Sequence, residues 1–231
     1  MTRFRAPITV MSAFFFALTL PVAGMAQRTP TVVHEFPPYK VRQGAVDADG
    51  LPTGAARLCL DRQPPRCYSL PKGRSDMHSG VEYQFGLEPK TERVSVEGGG
   101  SLILFSATFS GGGSGSLDEL ALLRYEQDGA LRNLLPVVQL TEQGDRAIWQ
   151  LPSVSSMPVL VTADYVWREG ETHFAQHLFE IRAYLYDSAS QIYAEKIRYR
   201  TNRRYPSLDA ADHVNVLVPE RTEILRRLGA R

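Results

Sequence analysis

Apolar and polar positions alternate along most of this chain, and alternation at a period of two predicts half-buried β-strands. The pattern is clear in TVVHEF at 31–36, in VEYQF at 81–85 (Val81, Tyr83 and Phe85 on one face) and in TERVSVE at 91–97. Short apolar runs rich in β-formers, LILFSATFS at 102–110, AIWQL at 147–151, VLVTADYVW at 159–167 and NVLV at 215–218, read as further strands. Tyr184, Tyr186, Ile192, Tyr193, Ile197 and Tyr199 flank a turn at Asp187-Ser188 and predict a hairpin of strong β-formers. One stretch reads two ways. Ser116-Leu117-Asp118-Glu119 fits a helix capping box, and Leu117, Leu120, Ala121 and Leu123 would form a helical stripe. The last stretch, 219–228, reads as a short helix. Pro219 opens it, Glu220 and Glu223 come early, Arg226 and Arg227 come late, and Gly229 stops it; Ile224, Leu225 and Leu228 would dock it on the body.

A loose internal repeat favours strands over a helix at 117–127. LILFSATFS at 102–110 is similar to VLVTADYVW at 159–167, and LALLRYEQDGALR at 120–132 is similar to IRAYLYDSASQIY at 181–193. The second copy is strongly β-forming, so the first is read as strands too, with Asp128-Gly129 as its hairpin turn. The units span about 101–138 and 158–200, joined by glycine-rich turns, with Gly98-Gly99-Gly100 as a flexible joint before the first. VLVTADYVW followed by IRAYLYDSASQIYAEK at 181–196 resembles the inner strand and outer hairpin of small exported bacterial proteins with integrin-like, FG-GAP-type propeller blades. The full calcium run and the FG-GAP signature of that family are absent. The resemblance implies an all-β fold, an incomplete propeller-like array of two to three antiparallel blades, with a two-sheet β-sandwich as the alternative and a short C-terminal helix. A dimer that completes the propeller stays open.

The N-terminal 26 residues read as a cleaved Sec-type export signal. Arg3 and Arg5 precede an uncharged apolar run from Ala6 to Leu20, Pro21 breaks it, and Gly24-Met25-Ala26 offers small residues at a cleavage site. The mature chain, 27–231, is expected to be one soluble β-rich domain, periplasmic or secreted. The formal net charge of the whole chain is +1, and removing the signal leaves it near neutral, which argues against a bulk nucleic-acid binder. The two cysteines, Cys59 and Cys67, flank Pro64-Pro65 and predict a hairpin at about 58–70 stapled by a disulfide.

Candidate chemistry is sparse. Asp47-x-Asp49-Gly50 starts like a calcium loop but lacks the later ligands, and Asp and Gly suit a turn without metal. The glycine-serine loop 111–116 lacks the lysine of a phosphate loop, so it reads as a connector. His173 and His177 have i, i+4 spacing, but a strand sets them roughly 13 Å apart, too far for one ion; they read as a surface or hairpin pair able to make a local surface pH-sensitive. No metal and no cofactor is expected. From Glu195 to Arg231, basic side chains outnumber acidic ones nine to five. Lys196, Arg198 and Arg200 would share one strand face, with Ile197 and Tyr199 opposite, and Arg203 follows. Among Trp149, Tyr165, Trp167, Phe174 and Phe179, most are expected in the core, with Trp167 reaching the surface beside the loop 168–172. The candidate binding surface is therefore Trp167, Arg168, Glu171, His173, His177, Arg198, Arg200 and Arg203. It would belong to a non-enzymatic exported protein of inhibitor, immunity or envelope-assembly type, engaging an envelope protein or an anionic glycan or lipid surface. The alternative is a hydrolase of envelope glycans using Asp164, Glu169, Glu171 and Asp187.

Overall fold

Strands whose two faces are both apolar cannot stand at a surface, and that constraint orders this fold. The structure is a computed structural model that describes residues 39–48, 53–61, 64–70, 86–110, 116–136, 138–141, 144–172, 174–206 and 214–230. They belong to a compact unit spanning Val33–Arg231. The export signal, the expected strands at 31–36 and 81–85, Asp49-Gly50, the loop 111–115 and His173 lie outside the described residues.

Three antiparallel sheets follow one another along the chain. The first contains β1 (Tyr39–Arg42), β2 (Arg57–Leu60) and β3 (Arg66–Ser69). The second runs β4 (Leu87–Ser95), β5 (Ser101–Ser110), β6 (Ser116–Tyr125) and β7 (Leu131–Asn133), with β8 (Val138–Thr141) also alongside β6. The third runs β9 (Asp145–Trp149), β10 (Val159–Val166), β11 (Leu178–Asp187) and β12 (Ile192–Arg200). The helix α1 (Arg221–Leu228) closes the chain.

Alternate residues of β5 explain the stacking. Ile103, Phe105, Ala107 and Phe109 pack with Leu58 and Leu70 of the first sheet region. Leu102 and Leu104 pack with Leu160, Tyr184 and Tyr193 of the third sheet. On β10, Leu160 faces back to the second sheet, while Val159, Val161, Ala163 and Tyr165 pack with Ile224 of α1. The order is thus first sheet, second sheet, third sheet, helix. Each fully buried Leu or Phe contributes roughly 1.5–3 kcal/mol. The all-β expectation holds, as an open, blade-like array of three meanders with a short C-terminal helix.

The capping-box reading of 116–119 gives way to a strand. Leu117, Ala121 and Leu123 pair with β5 residues Phe109, Phe105 and Ile103, and Asp118 accepts from Thr108 Oγ1 at 2.7 Å instead of capping a helix. Each repeat unit also recruits the strand before it, β4 in one sheet and β9 in the other. Three expectations are corrected. Gly98-Gly99-Gly100 is an ordered hairpin turn: all three have positive φ, and the Gly99 amide donates to the Val96 carbonyl at 3.2 Å. Residues 215–218 form no strand. Val216 is buried under the helix and its amide donates to Asp145 Oδ2 at 2.6 Å, so a carboxylate replaces a strand partner. The register of β11 and β12 shifts between Ala183 and Tyr184, where Lys196 has no partner in register, so Lys196 leaves the alternation it was expected to share with Arg198 and Arg200.

Candidate functional site: an aromatic loop on a locked base

The loop 167–177 connects the two central strands of the third sheet. Its base is built from aromatic residues that alternate on the helix side of β10 and β11. Tyr165, Phe179 and Tyr205 are buried there. His177 is 0% exposed, and its ring stacks on Tyr165 with centroids 4.3 Å apart. Trp167 meets the same imidazole edge-on at 4.9 Å. The backbone of His177 exchanges both hydrogen bonds with Tyr205, at 2.9 and 2.8 Å, which ties the loop base to the chain after β12.

Polar contacts then fix the imidazole. Nδ1 lies 3.2 Å from Glu171 Oε2, and Nε2 lies 3.0 Å from the Thr172 carbonyl. Both partners are acceptors. Glu171 is 11% exposed and receives Arg204 Nη2 at 2.8 Å on its other oxygen, while the Arg168 amide donates to Oε2 at 3.2 Å. Desolvation pushes the Glu171 carboxyl up, but the bond and charge of Arg204, the Arg168 amide and His177 together hold it below the usual carboxylate range. The result is a loop held at its root by the buried imidazole and the Glu171–Arg204 ion pair.

Above that root the loop presents two aromatic side chains. Trp167 is 42% exposed, as its position beside the turn suggests. Phe174 is 76% exposed, against the expectation of a core residue. It follows β10 by several residues and lies in a turn, outside the alternation that buries Tyr165 and Phe179. His177 is the opposite correction. It was expected at the surface and is fully enclosed, because it sits at the strand end where the helix-side face continues inward.

The remaining candidates divide. Arg203 belongs with the loop base: its guanidinium lies 4.7 Å over the Tyr205 ring, and its Nε donates to the Tyr205 hydroxyl at 2.7 Å. That hydroxyl donates in turn to Glu220, which also receives the Tyr199 hydroxyl at 2.9 Å. Burial, and then the bond to Glu220, push both tyrosines above their usual range. Arg198 and Arg200 lie on the opposite face of the sheet, in register with Arg182 and Glu180. Arg198 is held by Glu195 through two bonds of 2.8 Å, and Arg182 by Glu180. The charges of this face are therefore interleaved, and on the edge strand β12 they deter pairing with another sheet.

The four carboxylates of the hydrolase reading do not converge. Asp164 sits opposite Glu180 on the face away from His177. Asp187 lies at the far end of the ten-residue strand β11, about 30 Å from the loop base, and binds its own turn through the Ala189 amide and Ser190 hydroxyl. No group of three or more His, Cys, Asp or Glu residues placed to hold a metal occurs among the described residues. A shallow depression of about 350 Å³ borders Asp187, lined by Ser155, Ser156, Tyr186 and Lys196. Glu119 escaped the sequence reading. It is buried on the face of β6 toward the first sheet, near Tyr68, whose hydroxyl is pushed up by burial and then by the Glu119 charge. An acid pair, Asp118-Glu119, inside an apolar strand was its only signal.

The expected staple is present: Cys59 and Cys67 are directly opposite on β2 and β3, with Cα atoms 4.0 Å apart and a disulfide between them. No helix among the described residues is long and apolar enough to cross a membrane. No protein-family model matches the chain, and no curated protein is similar to it. The crystal structure of CarG is similar at a TM-score of 0.37 and 14% identity, over 53% of this chain and 88% of that one. A likeness of that size is too small to assign a fold or a role.

Proposed function

We propose that this chain is an exported, non-enzymatic binding protein of the cell envelope, engaging a macromolecular partner through the β10–β11 loop. One observation carries the reading: Trp167 and Phe174 stand exposed on a loop whose root is locked by the buried His177 and by the Glu171–Arg204 ion pair. Exposed aromatic side chains on a pre-ordered loop give large contact area at little entropic cost, which is how recognition hot spots are built. Arg168 stands exposed next to Trp167, so an envelope protein with an acidic surface, or an anionic glycan or lipid surface, is the matching partner. The N-terminal apolar run and the Cys59–Cys67 disulfide support delivery by a cleaved signal to an oxidising compartment. The three meander sheets support the FG-GAP-type blade resemblance, and a role as an inhibitor, immunity-type or envelope-assembly protein suits such a scaffold.

The test is paired affinity capture from envelope extract with the wild-type chain and with Trp167→Ala/Phe174→Ser. A partner retained by the wild type and lost by the variant, at unchanged melting temperature, supports the proposal. Equal capture by both chains, or none by either at low and moderate salt, overturns it.

A further inference from the structure

The outer face of the first sheet carries a cationic pair that the loop does not use. Arg66, Arg124, Arg146, Arg182, Arg198 and Arg204 each face a carboxylate. Arg42 and Arg57 face each other instead. The register of β1 and β2 places them directly opposite one another, and Ser69 of β3 is the next residue across. All three are exposed. Among the described residues neither guanidinium has a hydrogen-bond or ion-pair partner. The acid nearest in the strand, Asp61, is engaged by Lys40 at 3.0 Å. Like charges directly opposite on a sheet destabilise it, so an unneutralised Arg–Arg pair in register points to an anion that completes it.

We propose that Arg42, Arg57 and Ser69 form a clamp for a phosphate group. A phosphate monoester or inorganic phosphate brings close to two negative charges and at least three acceptor oxygens. Two guanidinium forks side by side match that charge and oxygen count, whereas a carboxylate is satisfied by one fork. The Ser69 hydroxyl adds a neutral donor. The row beside the clamp is the Cys59–Cys67 disulfide, which fixes β2 against β3 and so holds Arg57 and Ser69 at a set spacing before any ligand arrives. The phosphate has two possible sources, a free phosphate or the headgroup of an anionic phospholipid.

The experiment uses the mature chain in low-salt buffer with two probes. Inorganic phosphate is titrated against chloride at equal ionic strength, read by calorimetry and melting temperature. Vesicles of phosphatidylglycerol in phosphatidylcholine are compared with phosphatidylcholine alone by co-sedimentation. A melting-temperature rise with phosphate beyond the chloride control assigns a free-phosphate site, and vesicle binding without it assigns a headgroup site. In either case Arg42→Gln/Arg57→Gln should weaken binding about tenfold or more, and Arg200→Gln should leave it unchanged. Arg57→Lys, which keeps the charge and loses the fork, should weaken it by a smaller factor and guards against misfolding of the double variant. No response to either probe, or an equal response in wild type and Arg42→Gln/Arg57→Gln, overturns the clamp. Neither result bears on the loop, whose capture experiment stands apart.

Discussion

Replacing His177 by alanine tests whether the loop root is a lock. The ring is fully buried, contacts two acceptors at 3.2 and 3.0 Å and stacks on Tyr165. A net hydrogen bond contributes about 1 kcal/mol, and an aromatic stack about another 1 kcal/mol. With two bonds and one stack removed, His177→Ala should lose about 3 kcal/mol of unfolding free energy. Urea denaturation followed by far-UV circular dichroism measures this, with an unchanged slope confirming that both chains unfold from similar states. A second readout isolates the loop. In a Trp149→Phe background the remaining tryptophan is Trp167, whose ring meets the imidazole directly. Its emission should shift to the red in His177→Ala, because the neighbour that shields it is gone. A loss below about 1 kcal/mol, or an unaltered Trp167 spectrum, would refute the lock and with it the claim that Trp167 and Phe174 are pre-ordered.

Other outcomes follow from the same contacts. Glu220→Gln leaves the Tyr199 and Tyr205 hydroxyls with a weaker acceptor and should cost about 1–2 kcal/mol, seen as a lower melting temperature with the helix as the first element to exchange its amides. Reducing the Cys59–Cys67 disulfide, which closes a loop of eight residues, should cost roughly 2–3 kcal/mol; a melting temperature indifferent to reductant would contradict its role as the clamp's staple. Acid should destabilise the chain in a defined window. Hydrogen bonds from Arg226, then Arg227, hold Glu223 down to about 2, Glu195 is held low by Arg198, and Asp187 by the Ala189 amide. A carboxyl lowered by folding stabilises above its unfolded value and loses that contribution as pH falls through the folded one. The melting temperature should therefore be flat above about pH 5 and fall from about 4.5 to 2, and an NMR midpoint for Glu223 near 4.5 would disprove the Arg226 and Arg227 assignment.

What was readable in advance was set by local periodicity. The apolar, β-forming runs in 102–110 and 159–167 determine strands, the second copy's tyrosines resolve the first copy's helix-like LDEL as strand, and Pro219 to Gly229 specify the helix. The pairing of Cys59 with Cys67 was equally legible, because two residues of the same parity across a Pro-Pro turn meet in any tight hairpin. Tertiary structure decided what periodicity cannot encode: which face of each strand looks inward and what arrives there from far along the chain. His177 is buried because Tyr205 and the helix side of the third sheet close over it, and Phe174 is exposed because the turn carries it outside that face. Arg198 and Arg200 lost their distinction because Glu195, Arg182 and Glu180 interleave with them only once β11 and β12 pair. Arg42 and Arg57 gained theirs from a register of fifteen residues' separation, which no local pattern encodes. Sequence alone thus determined the long strands of the second and third sheets, the staple and the helix, while long-range pairing, which sets the neighbours of every charge, decided the short strands and which charges stand without a partner.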